Sequence, residues 1–177
     1  GLRPFQNDED FLFFGREEQI SDLLHLLQQH RFLAVVGSSG SGKSSLVRCG
    51  LMSQLHGGMM LDAGASWTVA VMQPGGDPLT RLAQSLIDAE IYSDDQGDSL
   101  YQIMATINRS SQGLVEAIKQ AGLSGQQNVL LVVDQFEEIF RFHEAGKKGK
   151  QLAPDFIRWI IEAVNQSEVP IYVVLTM

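Results

Sequence analysis

Apolar positions along the chain follow two alternating periods. Four short, nearly continuous apolar runs, at about 32–37, 67–72, 128–133 and 169–177, have the length and composition of buried strands. Between them, apolar residues recur at three- and four-residue spacing, as on one face of a helix. Ile20, Leu23, Leu24 and Leu27 mark a helix over about 16–29. Leu46, Val47, Gly50, Leu51 and Leu55 mark one reaching about His56. Leu79, Leu82, Ala83, Leu86 and Ile87 mark a third. Leu100, Ile103 and Ile107, then Leu114, Val115 and Ile118, mark two more. A short helix is expected at about 136–143, and one at about 154–166 that buries Phe156, Ile157, Ile160 and Val164. Breakers punctuate the series: Gly57-Gly58, Gln73-Pro74-Gly75-Gly76-Asp77-Pro78, a polar loop at 93–98 and a loop at 145–150. Apolar strands alternating with helices predict an α/β fold, a parallel sheet with helices on both faces. Ligands in such sheets sit at the carboxyl ends of the strands.

One such strand end carries Gly37-Ser38-Ser39-Gly40-Ser41-Gly42-Lys43-Ser44, which fits the Walker A phosphate loop. The glycines let successive backbone N–H groups turn inward around anionic oxygens, and the following helix aims its positive end at the same point. Ser38, Ser39, Gly40, Ser41, Gly42, Lys43, Ser44 and Ser45 are therefore the expected phosphate contacts. In this motif the lysine reaches the β- and γ-phosphates and the Ser44 hydroxyl ligates Mg²⁺.

A second strand end supplies the complement. Val129-Leu130-Leu131-Val132-Val133-Asp134 is an apolar strand closing in an acid, the Walker B pattern, and Asp134 is expected to hold Mg²⁺ through a water. Hydrolysis also needs a carboxylate that orients or deprotonates the attacking water. Gln135 directly follows the aspartate, so the candidate base is Glu137 or Glu138, with Lys43 as the third catalytic residue. No guanine-reading N-K-x-D motif is present, which favours ATP or ADP over guanine nucleotides.

Composition narrows the partners. Thirteen Lys and Arg against 21 Asp and Glu give a net charge of -8, which opposes a long nucleic-acid groove. The single cysteine, Cys49, forms no intrachain disulfide and fits a cytoplasmic setting. No apolar run has the length of a membrane span, and the acidic Asp8-Glu9-Asp10 opposes a signal peptide. The four histidines lack metal-ligand spacing. Lys147, Lys148 and Lys150 read as a solvated loop, and Met59-Met60 as packing or loop.

Several segments together resemble the novel STAND NTPases: Gly1-Leu2-Arg3-Pro4-Phe5, Phe13-Phe14-Gly15-Arg16-Glu17, the phosphate loop with its continuation Ser44-Ser45-Leu46-Val47-Arg48, the Gln73-Pro74-Gly75-Gly76-Asp77-Pro78 turn, and Asp134-Gln135-Phe136-Glu137-Glu138-Ile139-Phe140. The resemblance spans nearly the whole chain. It implies a three-layer αβα P-loop NTPase of the ASCE type, related to the NACHT, NB-ARC and AAA+ modules. It also implies a signalling switch, inactive with ADP and activated by exchange to ATP, with self-association and with effector and sensor domains elsewhere in the full protein. By the same resemblance Phe14, Gly15 and Arg16 line the base pocket, and Thr176 approaches the γ-phosphate. The chain departs from the family pattern in having Gln73 where arginine is usual, and it stops before the arginine that follows the fourth strand. That ending predicts a single domain, 1–177, cut after its fourth core strand: an N-terminal segment over 1–31 and an incomplete nucleotide-binding core over 32–177. Such a piece is expected to bind nucleotide weakly by itself and to turn it over negligibly, the ATPase activity belonging to the full-length protein.

Three functions fit these residues: a regulatory ATPase with slow Mg²⁺-dependent hydrolysis, a nucleotide-gated assembly module with little or no hydrolysis, and a kinase or DNA-remodelling motor. The acidic balance and the Gly15-Arg16-Glu17 box count against the third.

Overall fold

Four parallel strands form one sheet in the order β1-β4-β3-β2, with β1 at Phe32–Val35, β2 at Ser66–Met72, β3 at Gln127–Val133 and β4 at Ile171–Thr176. The structure, a computed structural model, describes residues 15–56, 66–92, 100–123, 127–145 and 152–177. Phe14 and the aromatic start, Gly57-Gly58, Met59-Met60, the 93–98 loop and Lys147, Lys148 and Lys150 lie outside the described residues.

β3 and β4 are apolar on both faces because both are covered, whereas β1 leaves Phe32 and Ala34 exposed. Val129, Leu131 and Val133 of β3, with Ile171, Val173 and Leu175 of β4, enter one core. Leu130, Val132 and Val174 enter the other. This period-two division is what a pleated strand imposes. The first core is closed by α4 (Pro78–Asp88), α5 (Leu100–Ile107), α6 (Gly113–Gln120) and α8 (Leu152–Asn165). The second is closed by α1 (Glu17–Gln29) and by the rod that follows the glycine loop. That rod runs α2 (Lys43–Ser45), a π-helical stretch over Leu46–Leu51, and α3 (Met52–His56). Gly50 in its middle is where α1 docks: a Cβ there would lie 2.7 Å from Ile20 Cγ1.

Local signals explain the element starts. Asp77 caps α4 by accepting from the Thr80 N–H at 3.2 Å, and Pro78 occupies the first helical turn, where its missing N–H is harmless. Two expectations need correction. The helix after β3 is α7 (Glu138–Ala145), not 136–143, because Gln135 sits at a φ of 57° and turns the chain first. On α8 the buried stripe is Ala153, Phe156, Trp159, Ile160 and Ala163; Val164 packs against it partly buried, as expected, and Ile157 does not join it. Trp159 has the larger apolar surface to bury, and its indole N–H reaches the Ser110 carbonyl at 3.1 Å. Ile157 is left beside Phe140 and Ile161 in a shallow apolar groove.

The strand register gathers three chain segments at one edge. Met72 pairs with Val133, Val133 with Leu175, and Val35 with Thr176. The turn after β1 is tied to β4 by Gly37 N–H donating to Met177 O at 3.1 Å. The glycine loop, Asp134 and Thr176 therefore leave the sheet side by side.

Candidate functional site

The loop after β1 curls tightly. Gly40 and Gly42 have φ values of 77° and 85°, a region that residues with a Cβ adopt only under strain. Among the described residues no atom stands within 4 Å of where a Cβ would project at either position, so backbone conformation and not crowding accounts for glycine there. Ser41 N–H donates to Ser38 O at 3.2 Å, closing the turn, and Gly42 caps the rod. Lys43 Nζ donates to the carbonyls of Gly37, at 2.8 Å, and Ser38, at 2.9 Å. The ammonium thus lies across the loop, beside the N–H groups that open the rod, and positive charge gathers where a phosphate would sit. Ser38, Ser39 and Gly40 are exposed, Ser41 to Ser44 half-buried, and Ser45 buried beneath the loop.

The Gly15-Arg16-Glu17 segment is latched to this loop. Arg16 Nη2 donates to Ser41 O at 3.2 Å, and Gly15, at a φ of 80°, donates its N–H to Glu17 Oε1 at 3.1 Å. Main-chain hydrogen bonds from Glu17 itself and from Gly15 hold the Glu17 carboxyl below its usual pKa. Gly15 and Arg16 are both exposed next to the loop; Phe14 is not described.

Asp134, 1% exposed, is the centre of the site. Its Oδ1 accepts from Ser44 Oγ and from Thr176 Oγ1, each at 2.6 Å. Its Oδ2 accepts from Arg48 Nη2 at 3.0 Å and Gln73 Nε2 at 3.4 Å. Burial alone would raise its pKa. The hydrogen bonds from Ser44 and Thr176, the Arg48 charge and the Gln73 amide outweigh that, and the carboxyl is held below its usual value. Gln73, where the resembled family carries arginine, reaches the carboxylate, but the ion pair here belongs to Arg48. Sequence reasoning gave Arg48 no role. The signal was present: Ser44 and Arg48 are four apart, so both lie on one face of the rod.

Ser44 and Asp134 suit Mg²⁺. A magnesium ion keeps several waters and takes one or two protein oxygens plus phosphate oxygens, so one hydroxyl beside one carboxylate is a fitting donor set. A dedicated protein cage is not what is found: among the described residues no cluster of three metal-ligating side chains occurs.

The two later acids differ. Glu138 opens α7 and its Oε2 accepts from the Gly75 N–H at 3.2 Å, joining α7 to the turn after β2. Glu137 lies in the turn before α7, exposed, and its carboxylate has no hydrogen-bond partner among the described residues. Beside Asp134 a polar cleft of about 560 Å³ is lined by Arg48, Gln73, Gly75, Arg81, Asp88 and Glu138, among others.

A parallel α/β sheet in which β4 separates the strand of the glycine loop from the strand of the acid, with loop and acid joined by Ser44, defines a P-loop NTPase. Over residues 1–177 the chain matches the family described as Novel STAND NTPase 1, and it belongs to that family. No curated protein matches it in sequence. In structure it is similar to the ORC2 protein of Aeropyrum pernix, solved in ADPNP-ADP complexes, with a TM-score of 0.55 at 12% identity over 93% of this chain and 41% of that one. It is also similar to a Walker-type ATPase of Pyrococcus abyssi, with a TM-score of 0.50 at 16% identity over 99% of this chain and 48% of that one. The chain thus spans less than half the length of either structure. At these identities the two likenesses bear on the fold alone. Family and fold together make the chain a nucleotide-binding module of ATPase type. Among the described residues no helix is long and apolar enough to cross a membrane.

Proposed function

We propose that the chain is the ATP/ADP-binding switch module of a STAND-type signal-transduction ATPase, with slow Mg²⁺-dependent hydrolysis in the intact protein. The observation that supports this best is the chain of contacts from the glycine loop through Ser44 to Asp134 and on to Thr176, each link 2.6 Å long. It ties the phosphate loop, the acid strand and β4 into one unit, so a phosphate that moves the loop also loads the sheet edge.

In this reading the loop amides and Lys43 hold the β- and γ-phosphates, Lys43 exchanging the carbonyls of Gly37 and Ser38 for phosphate oxygens. Mg²⁺, held by Ser44 directly and by Asp134 through water, would neutralise charge on the transferring phosphoryl group. Gly15 and Arg16, latched to Ser41, lie on the nucleotide side of the loop. Glu137 is the acid free to orient the attacking water, and Glu138 anchors the Gly75 turn. Calorimetric titration with ADP and ATP, with phosphate release as a second readout, tests this. Glu137→Gln should retain nucleotide binding and slow turnover about a hundredfold or more, as loss of a general base costs about 10²–10⁴. Unchanged turnover removes Glu137 from the role.

A nucleotide-gated assembly module with little or no hydrolysis is the second reading. It is favoured by Gln135: the residue next to the acid is an amide, and its φ of 57° turns the chain away there. Assembly by light scattering with ATP, without phosphate release, would select it.

A further inference from the structure

We infer that Arg48 is a built-in cation that competes with the divalent metal at Asp134 and so sets the metal affinity of the site. This rests on the nucleotide-and-metal reading above and adds a residue to which that reading gives no role.

The carboxylate of Asp134 is saturated. An ionised carboxylate has about four acceptor positions, and here they are filled by Ser44 and Thr176 on Oδ1 and by Arg48 and Gln73 on Oδ2. A metal-bound water that donates to this carboxylate must displace one of the four. Ser44 can keep its hydrogen bond, because a hydroxyl donates its proton while its oxygen lone pair binds metal. Thr176 is fixed from the other side, its Oγ1 accepting from the Gln135 N–H at 3.0 Å. The exchange therefore falls on the Oδ2 side, on Gln73 and Arg48. Of these only Arg48 carries charge, and it already neutralises the acid.

The surroundings of Arg48 fit a cation that can leave. Its side chain is 29% exposed, and its only ion pair among the described residues is with Asp134. Its Nε is buried with no hydrogen-bond partner among the described residues, so they hold the guanidinium incompletely. It borders the polar cleft, whose wall also carries the carboxylates of Glu138 and Asp88 together with Arg81. A guanidinium cannot lose its proton, so it yields the acid only by moving or by tolerating the metal's charge beside its own. Either way the metal binds more weakly than it would without Arg48. Even in a water-like dielectric, a unit positive charge a few ångströms away weakens divalent-ion binding about tenfold.

The test is Mn²⁺ binding to the 177-residue chain in saturating ADP, read by the paramagnetic resonance signal of free Mn²⁺, for wild type, Arg48→Gln and Arg48→Lys. The inference expects Arg48→Gln to bind Mn²⁺ about tenfold tighter and to gain more thermal stability from Mn²⁺ than wild type does. Arg48→Lys, which keeps the charge, should stay near wild type. A purely structural role predicts the opposite sign, since a damaged site holds metal less well. Equal or weaker Mn²⁺ binding by Arg48→Gln, with ADP still bound by calorimetry, overturns this inference and leaves the nucleotide reading standing. Failure of wild type to bind ADP at all overturns that reading and this one with it.

Discussion

Thr176 and Asp134 are linked across neighbouring strands: the threonine hydroxyl, at the end of β4, donates to Asp134 Oδ1 at 2.6 Å and accepts the Gln135 N–H at 3.0 Å. One buried side chain thus serves both the metal-type acid and the turn that carries the candidate base. Thr176→Val should leave the N–H without an acceptor and remove a donor from the carboxylate. The expected loss is about 1–3 kcal/mol of stability, read as a shift in the urea midpoint, with Thr176→Ser near wild type.

The depressed pKa of Asp134 makes the fold sensitive to acid. A carboxyl whose pKa is lower in the folded chain than in the unfolded one contributes stability above the unfolded value, and loses it as pH falls through the folded value. The loss should therefore begin near about pH 4 and deepen below it. Urea midpoints measured from about pH 7 down to about pH 3 should show this decline. In Asp134→Asn the same limb should be flatter and the neutral-pH stability lower.

Among the described residues, Lys43 Nζ hydrogen-bonds only two loop carbonyls, those of the exposed Gly37 and Ser38. Lys43→Ala should abolish nucleotide binding by calorimetry while changing stability by no more than about 0.5 kcal/mol. A large loss of stability would mean that the lysine is structural.

Gly50 is a packing glycine. A Cβ there would stand 2.7 Å from Ile20 Cγ1 and 2.8 Å from its Cδ1. Gly50→Val should push α1 off the rod at a cost of about 1–3 kcal/mol. Adding Ile20→Ala should recover part of that, a coupling measurable in a double-mutant cycle. Additive effects would show that α1 does not dock through this pair.

Glu138 and Gly75 offer a separate test of the division between the two acids. Glu138→Gln keeps an acceptor for the Gly75 N–H but removes its charge, so the fold should be retained with a loss of about 1 kcal/mol or less. Its turnover should fall less than that of Glu137→Gln, measured as phosphate release.

Much of this architecture is legible in the residues because its signals are local. The glycine loop needs left-handed backbone at Gly40 and Gly42, and only a few residue types permit it. β3 and β4 are continuous apolar runs because both of their faces are covered, and Asp77 with Pro78 announces α4. What escapes reading depends on contacts distant in sequence. Nothing near Gln135 signals its left-handed turn, which answers to Thr176, 41 residues away. Arg48 meets Asp134 across 86 residues. The face of α8 depends on how Trp159 fits against the turn between α5 and α6, a matter of shape that periodicity does not carry.

The position of β4 has a kinetic meaning. It is the last of these four strands in sequence yet lies between β1 and β3, so the centre of this sheet is filled by the strand made after the other three. Until residues 171–176 arrive, the loop strand and the acid strand have no common neighbour, and each exposes an apolar edge. Parallel pairing across such separations closes long loops before any contact rewards it, which slows folding and leaves those edges open to other chains meanwhile. Newly made chains should therefore depend on chaperones up to the moment this strand is inserted.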